Sequence, residues 1–270
     1  MRILLFDYDG TLAPLVSDTA KVPPSADLMK NLVRLSTHKN TFVYIVSGRD
    51  RNNLQELFAN PAIGIVAEHG MVVRHPHTTQ LEPYFASPPD LSWLPRVHQT
   101  MADISAQAPG SRVESKPSGL CFHYRRCCGD TGEHSAQEIR TALERDGTLM
   151  AGVEVISGNK VVEARCRGVN KGAMVSRILD KFLLPGEHPH PPNSDHPQDG
   201  TSDRTPSFVL CMGDDRTDED MFAVCNHLSP LAASCSTVIV GPRRPTLARH
   251  SLAGCAEALQ LVSLLAAVTD

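Results

Sequence analysis

The chain opens with MRILLFDYDGTLAP over residues 1–14, and the reading of this stretch decides the fold. Residues 3–6 form a wholly apolar run of strand length. Such a run, with no polar alternation, predicts a strand covered on both faces. It stops at two acids, Asp7 and Asp9, which are followed by Gly10 and Thr11. Two carboxylates this close repel each other unless a cation lies between them. Either the strand ends in an ordinary polar turn, or an active site begins there.

The same pattern recurs. Residues 41–46, 63–67, 208–212 and 237–240 are apolar runs, each ending at a polar residue or glycine. Helical patterns lie between them. Pro24 to Asp27 opens one that runs through Leu28, Leu32 and Leu35, Asn170-Lys171 opens another, and Asp218 precedes Met221-Phe222. Residues 259–268 read as a packed helix rather than a membrane span, since about 18 apolar residues are needed to cross a bilayer. Strand alternating with helix predicts an α/β fold, a Rossmann-like parallel sheet with crossover helices.

The texture changes from about residue 82 to residue 167. Strand candidates at 112–115, 120–124, 153–156 and 160–165 alternate polar with apolar, which predicts a sheet with one open face. Helical patterns at 91–104 and 134–143 would cover the other face. The expected organisation is a catalytic core at 1–84 and 168–270 with an inserted α+β cap domain at 85–167. Residues 186–206, rich in Pro, Asp and Ser, are expected to form a flexible surface loop. His188, His190 and His196 are read as loop histidines rather than metal ligands.

Bulk properties narrow the function. The 270-residue chain carries a formal net charge of −4, which gives no reason to expect nucleic acid or an anionic membrane as partner. Its first apolar run is too short for a signal-peptide core. The eight cysteines are scattered with no C-x-x-C pair, the pattern of reduced thiols, and a cytoplasmic location is expected.

In an open parallel sheet, ligands bind beyond the carboxyl ends of the strands. Those ends carry Asp7 and Asp9, then Ser47-Gly48-Arg49, then Glu68-His69-Gly70, then Gly213-Asp214-Asp215 with Asp218 close behind. Carboxylates gathered at one rim need a cation, and hard oxygen ligands favour Mg²⁺. Ser47, Gly48 and the adjacent backbone can donate to phosphate oxygens, and Lys171 brings positive charge at a helix start. Ser47 also reads as a helix cap, Asp218 as the N-cap of the helix after it, and Lys171 as a solvated lysine.

The ordered set resembles a known family. D-x-D-G-T at residues 7–11 is similar to the first motif of the haloacid dehalogenase superfamily, Ser47 to its second, Lys171 to its third, and G-D-D-x-T-D at 213–218 to its fourth. FDYDGTL, VSGR at 46–49, AEHG at 67–70 and GDDRTDEDMF at 213–222 resemble the trehalose-6-phosphate phosphatases within it. The resemblance implies Mg²⁺-dependent hydrolysis of trehalose 6-phosphate through an aspartyl-phosphate. Asp7 would be the nucleophile, Asp9 the general acid and base, and Lys171 the catalytic cation. The metal would be held by Asp7, the Asp9 main-chain carbonyl and Asp214. Ser47, Gly48, Arg49 and Lys171 would bind phosphate, Asp215 and Asp218 would support the metal's waters and Lys171, and His69 would lie at the boundary of core and cap.

Within the cap, VESKPSGLCFHYR and GNKVVEAR also resemble that family. Glu114, Lys116, His123 and Arg125 lie at alternate positions of two candidate strands, with Lys160, Glu163 and Arg165 on a neighbouring one. The resemblance implies Glu114, Lys116 and Glu163 on sugar hydroxyls, with Arg125 and Lys160 nearer the phosphate. The competing reading of Glu114 and Lys116 is an exposed, salt-bridged sheet face. The family further implies a synthase-like domain or subunit as partner. Alternatives are another sugar-phosphate phosphatase, such as one for sucrose phosphate, a sugar phosphomutase, or a non-catalytic regulatory domain.

Overall fold

The computed structural model describes residues 1–15, 22–147, 152–158, 160–183, 206–228 and 234–268. Most of the segment expected to be a flexible loop, 186–206, lies outside the described residues, as do its three histidines. The chain divides into two compact units, one of Met1–Tyr84 with Asn170–Asp270, the other of Phe85–Val169.

The larger unit begins with β1 (Arg2–Phe6), α1 (Ala26–Thr37), β2 (Thr41–Val46), α2 (Arg51–Leu57), β3 (Gly64–Ala67), β4 (Val72–Arg74) and β5 (Glu82–Pro83). Ser25 caps α1 by accepting from Leu28 N, a contact worth about 1 kcal/mol. The smaller unit follows with α3 (Leu94–Ala106), β6 (Arg112–Lys116), β7 (Gly119–His123), α4 (Thr131–Arg145), β8 (Val153–Gly158) and β9 (Val161–Cys166). The chain then returns to the larger unit through α5 (Lys171–Leu183), β10 (Phe208–Gly213), α6 (Glu219–His227), β11 (Ser234–Val240), β12 (His250–Leu252) and α7 (Cys255–Ala267).

The large sheet runs β12-β11-β10-β1-β2-β3-β4-β5. From β12 to β3 every pairing is parallel, while β3–β4 and β4–β5 are antiparallel, so the core is a mixed α/β sheet with an antiparallel edge. Ile3 and Leu5 face a core with Val209, Cys211, Met174, Ile178 and Phe222 from β10, α5 and α6. Leu4 and Phe6, buried on the opposite side, complete the double coverage that their unbroken apolar run predicts.

The small sheet is antiparallel throughout, in the order β6-β7-β9-β8. Leu120, Phe122, Val162 and Ala164 are buried on one face, where α3 and α4 pack. Two sequence expectations are corrected here. Lys160 lies outside β9, in a turn with φ of 63°, and Arg125 lies in the turn after β7. Strand length is set by ladder pairing, which ends at Val161↔Gly158 and Arg112↔His123, and polar alternation in the sequence runs past those rungs.

Candidate active site

The neighbours β10, β1 and β2 bring Asp214, Asp7 and Ser47 side by side at their carboxyl ends. Pairing continues one step beyond the strands, with Asp7 N donating to Met212 O at 2.9 Å and Ser47 N to Val66 O at 2.9 Å. The buried Asp7 carboxylate accepts from Lys171 Nζ through Oδ1 at 2.6 Å. The same ammonium donates to Asp218 Oδ1 at 2.7 Å, and Asp218 Oδ2 accepts from the backbone N–H groups of Asp214 and Asp215 at 2.9 and 3.0 Å. Asp218 therefore braces the loop behind it and makes no side-chain cap to α6. Asp215 secures the same turn, taking the Thr217 N–H and hydroxyl at 2.7 Å each. Lys171 is buried, which removes the reading of an ordinary solvated lysine.

One oxygen each from Asp7, Asp214 and Asp218 lies within 4.8 Å of the others. Three carboxylates against one ammonium leave two negative charges in excess. Asp7 Oδ2 is buried with no hydrogen-bond partner. Burial pushes the Asp7 carboxyl well above the carboxylate range, with Lys171 pulling it down and Asp218 and Asp214 pushing it further up. Burial, then Asp218 and Asp215, raise Asp214 to about 7. For Lys171, burial works against the charged form, but Asp218, Asp7 and Asp215 outweigh it and raise the ammonium well above the usual lysine value. An all-oxygen donor set that needs a further double positive charge to stay fully ionised fits a divalent metal. Gly10 is required beside it. Its φ is +92°, and an added Cβ would stand 2.1 Å from Asp214 Oδ2.

On the β2 side, Arg49 is committed to Asp9. Nε and Nη2 each donate at 2.7 Å to the two carboxylate oxygens, while Nη1 donates to Asn53 Oδ1 at 2.9 Å. The guanidinium expected near phosphate thus holds the Asp9 side chain in a fork. Ser47 is not the helix cap, for Asp50 caps α2 and Ser47 Oγ accepts from Arg49 N at 3.2 Å. Glu68, His69 and Gly70 follow β3 with φ of 52°, 55° and 111°. Two successive side-chain-bearing residues in the left-handed region carry strain that the surroundings must hold. Here Glu68 N donates to Arg49 O at 2.9 Å, His69 N to Ser47 O at 3.1 Å, and Arg51 Nε to the buried Glu68 carboxylate at 2.6 Å. The turn is fastened onto Ser47–Arg49, and the His69 ring lies so close to Gly48 that a Cβ there would meet Nε2 at 2.2 Å.

In the smaller unit, opposed residues share a sheet face. Glu114, Cys121 and Glu163 form one rung across β6, β7 and β9, and Lys116, Gly119 and Arg165 form the next. Gly119 has no side chain to obstruct Lys116, whose Nζ crosses β7 to reach Glu163 Oε1 at 3.1 Å, both groups buried. The face thus gathers Glu114, Lys116 and Glu163. Lys160, beyond the strand, pairs with exposed Glu133 at 2.5 Å and stands over the Tyr124 ring, and Arg125 is exposed.

Some residues that touch the motifs carry no local signature. Arg244 Nη2 donates to Asp214 O at 3.3 Å and pairs with Glu219 at 3.0 Å. Cys255 donates from Sγ to Gly10 O at 3.2 Å. Both come from segments far along the chain, and nothing in their neighbouring residues marks them.

Comparison with known proteins gives a consistent result. A family model for trehalose-phosphatase matches residues 5–255. A Saccharomyces cerevisiae trehalose-phosphatase is 38% identical over 237 residues, covering 84% of this chain and 25% of its own length. A Dictyostelium discoideum alpha,alpha-trehalose-phosphate synthase [UDP-forming] B is 33% identical over 98% of this chain and 30% of its own length. The chain therefore spans less than a third of these relatives. The solved C-terminal domain of Candida albicans trehalose-6-phosphate phosphatase aligns at 34% identity and a TM-score of 0.85, over 99% of this chain and 93% of that one. On the family model, these identities and the strand-end cluster together, the chain belongs to the trehalose-phosphatase family.

Proposed function

We propose that the chain is a Mg²⁺-dependent phosphatase that hydrolyses trehalose 6-phosphate to trehalose and phosphate. The observation that carries this reading is the Asp7–Lys171–Asp218 chain of contacts at 2.6 and 2.7 Å in a buried site whose three acids, when ionised, exceed its ammonium by two charges. Asp7 attacks phosphorus, and the bond to the sugar oxygen breaks as Asp9 hands that oxygen a proton. Asp9 then takes a proton from water, which attacks phosphorus, releases phosphate and restores the Asp7 carboxylate. Asp7, Asp214 and the Asp9 carbonyl would hold Mg²⁺, which when bound supplies charge to offset the phosphoryl oxygens. Lys171 contributes to the same task and keeps Asp7 oriented, with Asp215 and Asp218 bracing the loop. Ser47 and Gly48, held by the turn that carries His69, would receive the phosphate, and Arg49 would join them once its fork on Asp9 opens, which also frees an Asp9 oxygen to carry the proton.

Sugar recognition is assigned to the smaller unit, residues 85–169, as a cap whose polar face carries Glu114, Lys116 and Glu163. Arg125 and Lys160 would contribute cations from the strand ends. A synthase-like domain or subunit is the proposed partner, a reading supported by the synthase-named relative of which this chain matches only a part. A cytoplasmic setting is supported by the eight free cysteines. Among the described residues no helix is long and apolar enough to cross a membrane.

Phosphate release from trehalose 6-phosphate, sucrose 6-phosphate and glucose 6-phosphate tests the proposal, with Mg²⁺ and after chelation by EDTA. The expected outcome is release from trehalose 6-phosphate that stops with EDTA and returns with Mg²⁺. Preference for sucrose 6-phosphate would favour the rival phosphatase, and isomerisation without phosphate release would favour a mutase.

A further inference from the structure

The outward residues of β7 are Gly119, Cys121 and His123, in rungs with Lys116, Glu114 and Arg112 of β6 and with Arg165, Glu163 and Val161 of β9. The two small ones keep the central strand low, with Glu114 on one side and Glu163 on the other, two strand spacings or about 10 Å apart. Each acid has a donor on it. Glu163 is held by Lys116, which reaches across the gap at Gly119. Glu114 is held by His123, whose Nε2 lies 2.8 Å from Oε2, and Arg112 approaches the same oxygen at 3.5 Å. A carboxylate only accepts, so the His123 Nε2–H donates.

From this geometry we infer that His123 is a positioning residue for sugar recognition, fixing the Glu114 carboxylate through Oε2 so that Oε1 stays oriented to accept from a sugar hydroxyl. The inference rests on the reading of this face as the sugar site. The bond runs along one diagonal between adjacent strands, the spacing at which long side chains meet across a sheet. It fixes a carboxylate that otherwise rotates about three bonds, and a group that is already oriented binds without losing that freedom. The hydrogen bond from His123 is also the foremost reason that Glu114 stays ionised down to about pH 2. Sugar hydroxyls are donors as well as acceptors, and an ionised, oriented carboxylate is the complement they need. Residues 119–123 therefore do more than floor the face. The small pair makes room and the histidine sets the acid beside it.

The test is steady-state kinetics on trehalose 6-phosphate and on p-nitrophenyl phosphate, an ester with no sugar, for the full chain and for His123→Ala, His123→Gln, Glu114→Gln and the double variant His123→Ala/Glu114→Gln. Gln offers an amide N–H where the histidine has Nε2–H, so it serves as the conservative replacement. His123→Ala is expected to raise KM for the sugar ester about tenfold, equivalent to about 1.4 kcal/mol, and to leave p-nitrophenyl phosphate turnover unchanged. His123→Gln is expected to recover most of that loss. The double variant should be no worse than Glu114→Gln alone, because both changes disable the same contact. Fully additive losses, a KM within twofold of the parent, or equal losses on both esters would overturn the role. Should the parent prefer a different sugar phosphate, the substrate assignment fails and the same comparison on that ester decides His123. A parent active only on p-nitrophenyl phosphate overturns both.

Discussion

The strand-end cluster of the larger unit and the polar face of the smaller unit are both built from acids and lysines, yet their charge is arranged in opposite ways. At the strand ends, Asp7, Asp214 and Asp218 crowd one ammonium, so their full ionisation would leave a buried double negative charge. On the polar face each acid has a hydrogen-bond donor of its own, Lys116 on Glu163 and His123 on Glu114. The first arrangement is incomplete without a cation and suits an anionic ester presented with a metal. The second is complete as it stands and suits a neutral ligand read through hydroxyl groups. Residue type alone does not separate the two, but the local balance of charge does.

Removing acids from the two regions, one at a time, should break this comparison if it is wrong. Asp7→Asn is expected to lower phosphate release by at least about a thousandfold, since no other group in the site can take its place as nucleophile. Asp214→Asn is expected to stabilise the EDTA-treated protein at pH 8 by roughly 1–3 kcal/mol in urea unfolding, because it removes a desolvated carboxylate beside two others. Activity should fall along with that gain. Glu163→Gln should do the opposite, destabilising the chain by about 3 kcal/mol because it strands the buried Lys116 ammonium. Shifts of the same sign in Asp214→Asn and Glu163→Gln would end the distinction between an incomplete site and a complete one.

A third cluster, polar, anchored on buried Tyr44 and His75 and remote from the motifs, sharpens it. Tyr44 OH meets His75 Nδ1 at 2.9 Å, Lys181 Nζ meets His75 Nε2 at 3.0 Å, and Lys181 pairs with Glu82 at 2.7 Å. The lysine must donate, so Nε2 accepts, Nδ1 carries the proton, and the imidazole is neutral. Burial first, and then Lys181, lowers His75 to about 4. Because the unfolded chain protonates near 6.5, it binds more protons than the folded one between pH 6.5 and 4. Stability from this group is therefore complete above pH 6.5 and lost as pH falls to about 4, of the order of 3 kcal/mol in all. Urea unfolding at pH 7.5 and pH 5 should show that slope, and His75→Gln should flatten it. A slope unchanged in His75→Gln would assign it elsewhere.

How much of this was legible depended on the range of the interaction. The central strands announce themselves because coverage on both faces leaves an uninterrupted apolar run, as in residues 3–6 and 208–212. The short antiparallel strands β4 and β5, three and two residues long, leave no comparable signal. The motif acids were legible as a group because parallel strands deliver their carboxyl ends to one rim. The grip of Arg49 on Asp9 was not, since a guanidinium near both a carboxylate and a phosphate loop can serve either, and only its rotamer decides. Lys160 misled because alternation continues past the last paired rung, where the backbone turns to φ of 63°.

The sequence by itself determined the α/β class, the strand ends that bear chemistry and the family resemblance, because these depend on local pattern and on the order of short motifs. Only the tertiary structure decided which charges meet. Lys171 reaches Asp7 across 164 positions and Asp218 across 47, and Glu114 is set by His123 through a ladder register that no local pattern encodes. The physical reason is that apolar burial is cumulative along a segment and survives small shifts, whereas an ion pair exists only within a few ångströms and is decided by register and rotamer.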